Sequence, residues 1–335
     1  MPKTILCAVD LSPVAEEAIR QAAAQAASED AALIVYHAFA IPPLVAGTMP
    51  EVLPLELDLV GETKRSAELF LEKTVARVLG RVTVRIEVDG AVGPAPAAIL
   101  AKAAAVGASC VVVGSGAVTA FERWLLGAAA EKVVRHARCP VLVARPSPAG
   151  AAVLAATDLS QASFAAVRAG AAEAQRRRVD LVVVHCLDLG AETTFLGTAV
   201  VPLPPEDPES RPVLRRRARQ RIEAWLAEAR VTAAVMIEDG PPVAEIVRVA
   251  EALPAGLVVV GATGKTRLER LLLGSVAEGI TRKGHCSVLA VRLDHVAARQ
   301  VELDTGDIEQ EERKRLAAAE DHQERAGKGL PLGKL

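Results

Sequence analysis

Val259-Val260-Gly261-Ala262-Thr263-Gly264 closes an apolar run on a glycine loop, and after nine intervening residues Gly274-Ser275 opens a helical pattern. The same plan appears 147 positions upstream. There Val112-Val113-Gly114 lies over Val259-Val260-Gly261, and Phe121-Glu122-Arg123 over Leu268-Glu269-Arg270. Leu125-Leu126-Gly127 lies over Leu272-Leu273-Gly274, and Cys139-Pro140-Val141-Leu142-Val143 over Cys286-Ser287-Val288-Leu289-Ala290. Asp10-Leu11-Ser12 matches Asp158-Leu159-Ser160 and His37 matches His185 at an offset of 148, while Asp89-Gly90 matches Asp239-Gly240 at 150. Offsets that drift by so little are short loop insertions within a repeated fold. The period is far too long for a solenoid repeat, so the chain holds one whole domain twice.

Pro146-Ser147-Pro148-Ala149-Gly150 has linker chemistry and marks the boundary. We therefore expect domain one over 1–147, domain two over 148–293 and a charged tail over 294–335. In copy two the apolar runs Val153–Thr157, Leu181–Leu187, Val231–Glu238, Gly256–Val260 and Ser287–Arg292 read as strands. Helical patterns over Ser163–Gln175, Arg211–Arg230, Pro242–Ala252 and Ser275–Lys283 alternate with them, the first capped by Ser160. The apolar face of the arginine-rich helix is Val213, Leu214, Ala218, Ile222, Trp225 and Leu226. Pro202, Pro204, Pro205 and Pro208 argue against regular structure in the long connector before it. Alternating strands and helices predict two tandem, doubly wound α/β domains, Rossmann-like, each with a five-stranded parallel sheet of order 3-2-1-4-5. That order sets the loop after strand one beside the loop after strand four, where such sheets take ligands.

Composition narrows the function classes. The chain has 335 residues, 51% hydrophobic but only 2% aromatic, with 39 basic and 41 acidic side chains. A balanced charge lacks the basic footprint of a nucleic-acid coat, and scarce aromatics argue against stacking on bases. The apolar runs are too short to span a membrane, and the N-terminal stretch lacks a signal-peptide pattern. Five cysteines with no C-x-x-C pair, all beside strand-like runs, read as buried reduced thiols. A cytoplasmic chain with no membrane partner is expected. The tail carries 10 acidic and 7 basic residues. Within it Asp307–Ala326 reads either as a solvated or partner-docked helix, with i,i+4 pairs such as Glu309/Arg313, or as a poorly ordered tail.

The glycine loop has a physical use at each position. Gly261 lets the chain turn off the strand, and Gly264 admits backbone N–H groups close to a phosphate. Gly274-Ser275 begins a helix whose free N–H groups and dipole attract anions, and the Ser275 hydroxyl adds a donor. The bland alternative is a strand terminator followed by a serine cap. Gly264-Lys265-Thr266 is not the end of a P-loop, because the position five before Gly264 is Val259 rather than glycine.

On these residues the chain resembles a tandem universal stress protein over about 290 positions, leaving out the tail. Gly261, Gly264, Gly274 and Ser275 fit that family's ATP-binding signature, Gly-x-x-Gly-x9-Gly-Ser. Thr157-Asp158, His185-Cys186 and the Cys286-Ser-Val-Leu strand fit as well. The resemblance implies ATP in domain two. Asp158 and the backbone at Thr157 and Cys186 would meet adenine or ribose. Gly261, Gly264, Gly274, Ser275 and the Val276 amide would hold ribose and phosphates, with any magnesium on the phosphates. It also implies that the last strands, Val141–Arg145 and Val288–Arg292, pair the two copies within the chain, and that chains form homodimers.

Copy one departs from the signature at Ala117 and at Ala128, which adds a Cβ and removes a hydroxyl. Each missing charge-assisted hydrogen bond is worth about 1.5–3 kcal/mol, so one nucleotide per chain is expected, in copy two. No histidine pair has metal-ligand spacing and no Gly-x-Ser-x-Gly elbow occurs. His185 and Cys186, adjacent on a strand, point to opposite faces. Glu269 and Asp239 are the carboxylates within topological reach of a γ-phosphate. The arginine run Arg215-Arg216-Arg217 reads as a solvated face or as a site for an acidic partner. Three functions follow: an ATP-binding regulatory module with a protein partner, a slow ATPase or phosphotransferase, and a nucleotide-free scaffold.

Overall fold

The computed structural model describes residues 3–12, 15–41, 53–80, 84–92, 94–116, 126–148, 150–188, 193–196, 199–202, 210–262 and 273–292. The tail, Ala117, Gly264 and Glu269 lie outside the described residues. Copy one runs β1 (Thr4–Ala8), α1 (Ala15–Glu29), β2 (Ala32–Ile41), α2 (Leu53–Leu79), β3 (Arg85–Val92), α3 (Ala95–Ala105), β4 (Cys110–Gly114), α4 (Ala128–His136) and β5 (Val141–Ala144). Copy two begins β6 (Val153–Ala156), α5 (Gln161–Arg177), β7 (Leu181–Leu187), β8 (Thr193–Leu196), β9 (Ala199–Pro202) and α6 (Ser210–Glu228). It ends β10 (Ala234–Asp239), α7 (Pro242–Ala252), β11 (Leu257–Gly261), α8 (Ser275–Lys283) and β12 (Ser287–Val291).

Each copy forms the expected doubly wound sheet. Among the described residues ten strands make one sheet of order β10-β7-β6-β11-β12-β5-β4-β1-β2-β3, which is 3-2-1-4-5 in each copy read outward-in. Within each copy the pairs are parallel. The seam is antiparallel, Val143 opposite Val288, Leu142 opposite Leu289 and Val141 opposite Ala290. An apolar edge strand left open would template aggregation, and here each copy covers the other's. The pairing of the two copies inferred from these strands is therefore present.

One apolar cluster lies on each side of the sheet and each crosses the seam. On one side α1, α2, α5 and α6 cover residues such as Ile5, Leu142, Val259 and Leu289. On the other α3, α4, α7 and α8 cover Leu6, Val143, Val258 and Val288. The fully buried central strands explain the continuous valine runs, since a parallel strand covered on both faces needs no polar alternation.

Two local expectations change. The connector after β7 is not devoid of regular structure: β8 and β9 pair as an antiparallel hairpin, Thr193 opposite Pro202. Pro202 ends its strand and the other prolines follow it, so ladder bonding is spared. On α6 the buried face is Ala218, Ile222 and Leu226, with Trp225 stacked on Phe164 at 4.6 Å. Val213, assigned to that face, is 46% exposed because it sits in the first turn, before the helix reaches the core. Ile222→Ala should cost about 2–5 kcal/mol of unfolding free energy, as a buried cavity does. Val213→Ala should change it by less than about 0.5 kcal/mol. Denaturant midpoints of the two variants check this, and equal losses would contradict the assignment of the face.

Candidate functional site

The end of β6 is held by a chain of hydroxyls. Ser163, buried in the first turn of α5, donates from Oγ to Ser160 O at 2.8 Å. Its Oγ therefore accepts, from Thr157 Oγ1 at 2.8 Å and from the Asp158 N–H at 3.2 Å. Thr157 Oγ1 in turn accepts from Leu159 N–H at 3.0 Å, in a turn where Leu159 takes a left-handed φ of 65°. Ser160 caps α5, its Oγ accepting from Ser163 N–H. Asp158 Oδ1 accepts from the Ser160 N–H at 3.0 Å and from its hydroxyl. The carboxylate is thus fixed by its own loop, half-buried at the carboxyl end of the sheet.

His185 adds a second restraint. Its Nδ1 lies 2.8 Å from Thr157 O, so that nitrogen bears the proton and donates. The Thr157 N–H donates to Val184 O at 2.9 Å. His37 makes the same contact with Val9 O in copy one, also at 2.8 Å. The repeated histidine is a strand clamp rather than a nucleophile's base. Cys186, on the next position of β7, lies with Sγ 3.9 Å from Pro242 O. Burial, then Glu245 and Glu238, push its thiol up to about 12.

The glycine loop leaves and returns at one place. Ala262 N–H donates to Val291 O, and Gly274 N–H donates to Ala262 O, each at 2.8 Å. Since β6 pairs with β11 through Ala155 and Val259, this closure stands beside the Thr157-Asp158 turn. Gly274 is the N-cap of α8 and offers no side-chain hydrogen bond; Ser275 is the first helical residue and is exposed. Ser275 is therefore not the cap. Ser275 and Val276 present first-turn N–H groups at a helix end without a capping side chain, the arrangement that suits an anion. The structure thus brings Thr157, Asp158, Cys186, Gly261, Gly274, Ser275 and Val276 to one end of the sheet.

Copy one repeats the closure with Gly127 N–H donating to Ser115 O at 2.8 Å. A cavity of about 250 Å³ opens there, lined among others by Val9, Asp10, His37, Gly114, Gly116 and Gly127. Gly116 has φ +75°, and a Cβ on it would lie 3.0 Å from Gly127 Cα. The turn-making glycine of copy one thus stands one position before the equivalent of Gly264. Copy one also lacks the hydroxyl chain: Val9 and Ala15 occupy the places of Thr157 and Ser163. That difference was visible on aligning the copies, and it is the signal the sequence reading passed over.

Other candidates move away from the site. Asp239 ends β10, three strands from β11, or roughly 14 Å at the usual strand spacing. It accepts from Arg215 at 2.8 Å, which also reaches Ile237 O. It stands at the outer edge of the sheet, away from the end of β11. No two of the five cysteines form a disulfide; Cys7, Cys110 and Cys286 are buried, while Cys139 and Cys186 are only half-buried. Among the described residues no three metal-ligating side chains cluster, and no helix is long and apolar enough to cross a membrane.

The model of the universal stress protein family matches residues 1–145 and again 151–292. A universal stress protein of Mycolicibacterium smegmatis is 30% identical over 86% of this chain and 96% of its own length. One from Mycobacterium tuberculosis is 28% identical over the same shares. The crystal structure of a universal stress protein from Archaeoglobus fulgidus covers 87% of this chain and 97% of its own, at TM-score 0.56 and 18% identity, so it bears on the fold alone. With two matched copies, a shared length and one sheet built from both, the chain belongs to the universal stress protein family.

Proposed function

We propose that the chain is a nucleotide-responsive regulatory module that holds one ATP in copy two. The observation that supports this most is the uncapped start of α8, tied through Gly274 and Ala262 to the end of β11 and so set beside the fixed Asp158 turn. Adenine and ribose would lie against Asp158 and the ends of β6 and β7. Ribose and phosphates would lie on Gly261, Gly264, Gly274, Ser275 and the Val276 amide, with magnesium on the phosphates. Backbone dipoles then stabilise the charge where a lysine cluster is absent from the described crevice. A partner protein would read the ordering of the glycine loop, and chains would associate further in a cytoplasmic setting.

Among the described residues the ATPase reading finds no positioned base, and Glu269 lies outside them. Asp239 is paired and distant, and the protonated Cys186 thiol is a poor nucleophile. In an unfolded chain the thiol ionises near its ordinary 9, whereas in the folded chain the thiolate appears only as pH nears 12. Folding thus favours the protonated form, and that part of the stability is present below pH 9 and is lost as pH rises towards 12. Alkylation of Cys186 by iodoacetamide at pH 9 should be at least about 10-fold slower in the native chain than in urea. A native rate with a midpoint near 9 would contradict the shielded thiol.

Titration with Mg-ATP should give one site per chain. Ser275→Ala should weaken it about 10-fold, the worth of one charge-assisted bond. Gly261→Val should abolish binding and Gly114→Val should leave it intact. Two equivalent sites would overturn the assignment to copy two. A wild-type protein with no binding at millimolar Mg-ATP would overturn the nucleotide reading in favour of a scaffold, and Ser275→Ala-sensitive turnover would favour the enzyme.

A further inference from the structure

Two arginines cross the seam in opposite directions. Arg145 follows β5 of copy one and is 2% exposed. Its Nη2 donates to Thr281 O at 2.7 Å and its Nη1 to Cys286 O at 3.3 Å, both in copy two. Arg292 follows β12 of copy two, and its Nη2 donates to Val134 O and Arg135 O of α4 in copy one. Arg145 and Arg292 are 147 positions apart, as are Thr281 and Val134. Each copy therefore caps the last helix of the other at its carboxyl end, where orphan carbonyls and the negative end of the dipole favour a cation.

The two caps are unequal. On the Arg145 side, Ser287 Oγ accepts from the Arg145 N–H at 3.0 Å and from Gln21 Nε2 at 3.0 Å. Gln21 Nε2 also reaches Arg145 O at 3.0 Å, so α1, β5 and β12 lock the backbone of this arginine. On the other side the matching positions are Pro140 and Ala169, which cannot build that lock, and Arg292 is only half-buried. Among the described residues no carboxylate pairs with the Arg145 guanidinium: its contacts are carbonyls, and its Nε makes no hydrogen bond. Burial lowers its pKa to about 10, which still leaves it charged at neutral pH. A second contact holds the same helix: Arg135 of copy one meets Glu278 of α8 at 3.1 Å.

We propose that Arg145 is a positioning residue for the nucleotide site of copy two: from copy one it fixes the carboxyl end of α8, and through that nine-residue helix it sets the first turn at Ser275 and Val276. The inference rests on the reading of α8 as the phosphate helix. A helix this short is a rod of roughly 13 Å, so holding Thr281 constrains Ser275 less than two turns away. Close packing at the middle reinforces the rod, since a Cβ on Gly279 would come within 2.7 Å of Val243 of α7. The copy with the weakened signature thereby serves the intact one.

The test uses the full chain. In hydrogen exchange without ligand, Arg145→Met should raise exchange across the end of α8 at least about 10-fold and leave α4 unchanged, with Arg292→Met giving the mirror pattern. In titrations, Arg145→Met should weaken Mg-ATP about 10-fold and adenosine less than about 2-fold, because the amides of the first turn of α8 act mainly on the charged phosphates. Arg145→Lys should restore part of the loss. Ser287→Ala, which unlocks the backbone but keeps the cation, should shift the same helix by less and guards against a misfolded Arg145→Met. Unchanged α8 exchange in both Arg145→Met and Ser287→Ala would overturn the proposal. So would equal losses for ATP and adenosine. If wild-type protein binds no ATP, the nucleotide reading fails and α8 as phosphate helix fails with it, while the exchange arm still decides whether Arg145 holds α8.

Discussion

The antiparallel pairing of β5 with β12 is the contact on which the rest of the molecule depends. Each of these strands is apolar on both faces, Val141–Ala144 and Ser287–Val291, and each would otherwise be an open edge. Joining them turns two five-stranded sheets into one and lets both apolar clusters continue across the seam. It also removes water from the ends of those strands. In that dry setting Arg145 takes carbonyls as its partners, bonds that would gain little for a solvated arginine.

The same seam bears on how the proposed phosphate site would work in a chain with few aromatics and no net basic charge. The charge of a ligand would be met by amide groups at a helix start, whose usefulness depends on where the helix lies rather than on how many lysines surround it. Position therefore matters more than composition. Polar groups fix position around the crevice of copy two: its own Thr157–Ser163 hydroxyl chain at one wall and, behind the other, a lock in which Ser287 meets Gln21 and Arg145 of copy one. Copy one has Val9 and Ala15 at the first place, and the matching cap lacks the second.

Much of this was readable from sequence because the fold repeats. Aligned copies gave the element order, the strand order and the crevice, since continuous valine runs and glycine loops reflect local constraints that any copy must meet. What escaped the reading depends on groups distant in the chain. Arg145 and Thr281 are joined only by the seam, and His185 meets Thr157 only through the parallel pairing of β6 with β7. Asp239 shows the converse error. Proximity was inferred from its place at a strand end, but strand order puts it on the outer edge with Arg215. Val213 failed for a related reason, as helical periodicity marks a face without saying where along the helix the core begins.

A weakened copy can be indispensable without binding anything. Without copy one, β12 would again be an open apolar edge, and Thr281 O and Cys286 O would lose their arginine. The carboxyl end of α8 would then keep its packing within copy two and the weak Glu278–Arg282 pair at 3.9 Å, but no cation on its last carbonyls from across the seam. The demands on the two copies thus separate. Copy two must keep the amide geometry of its crevice, whereas copy one must keep a strand, an arginine and Gln21. On the reading proposed above, the cavity of copy one, with Ala128 where a hydroxyl would meet phosphate, need hold no ligand for copy one to serve its partner.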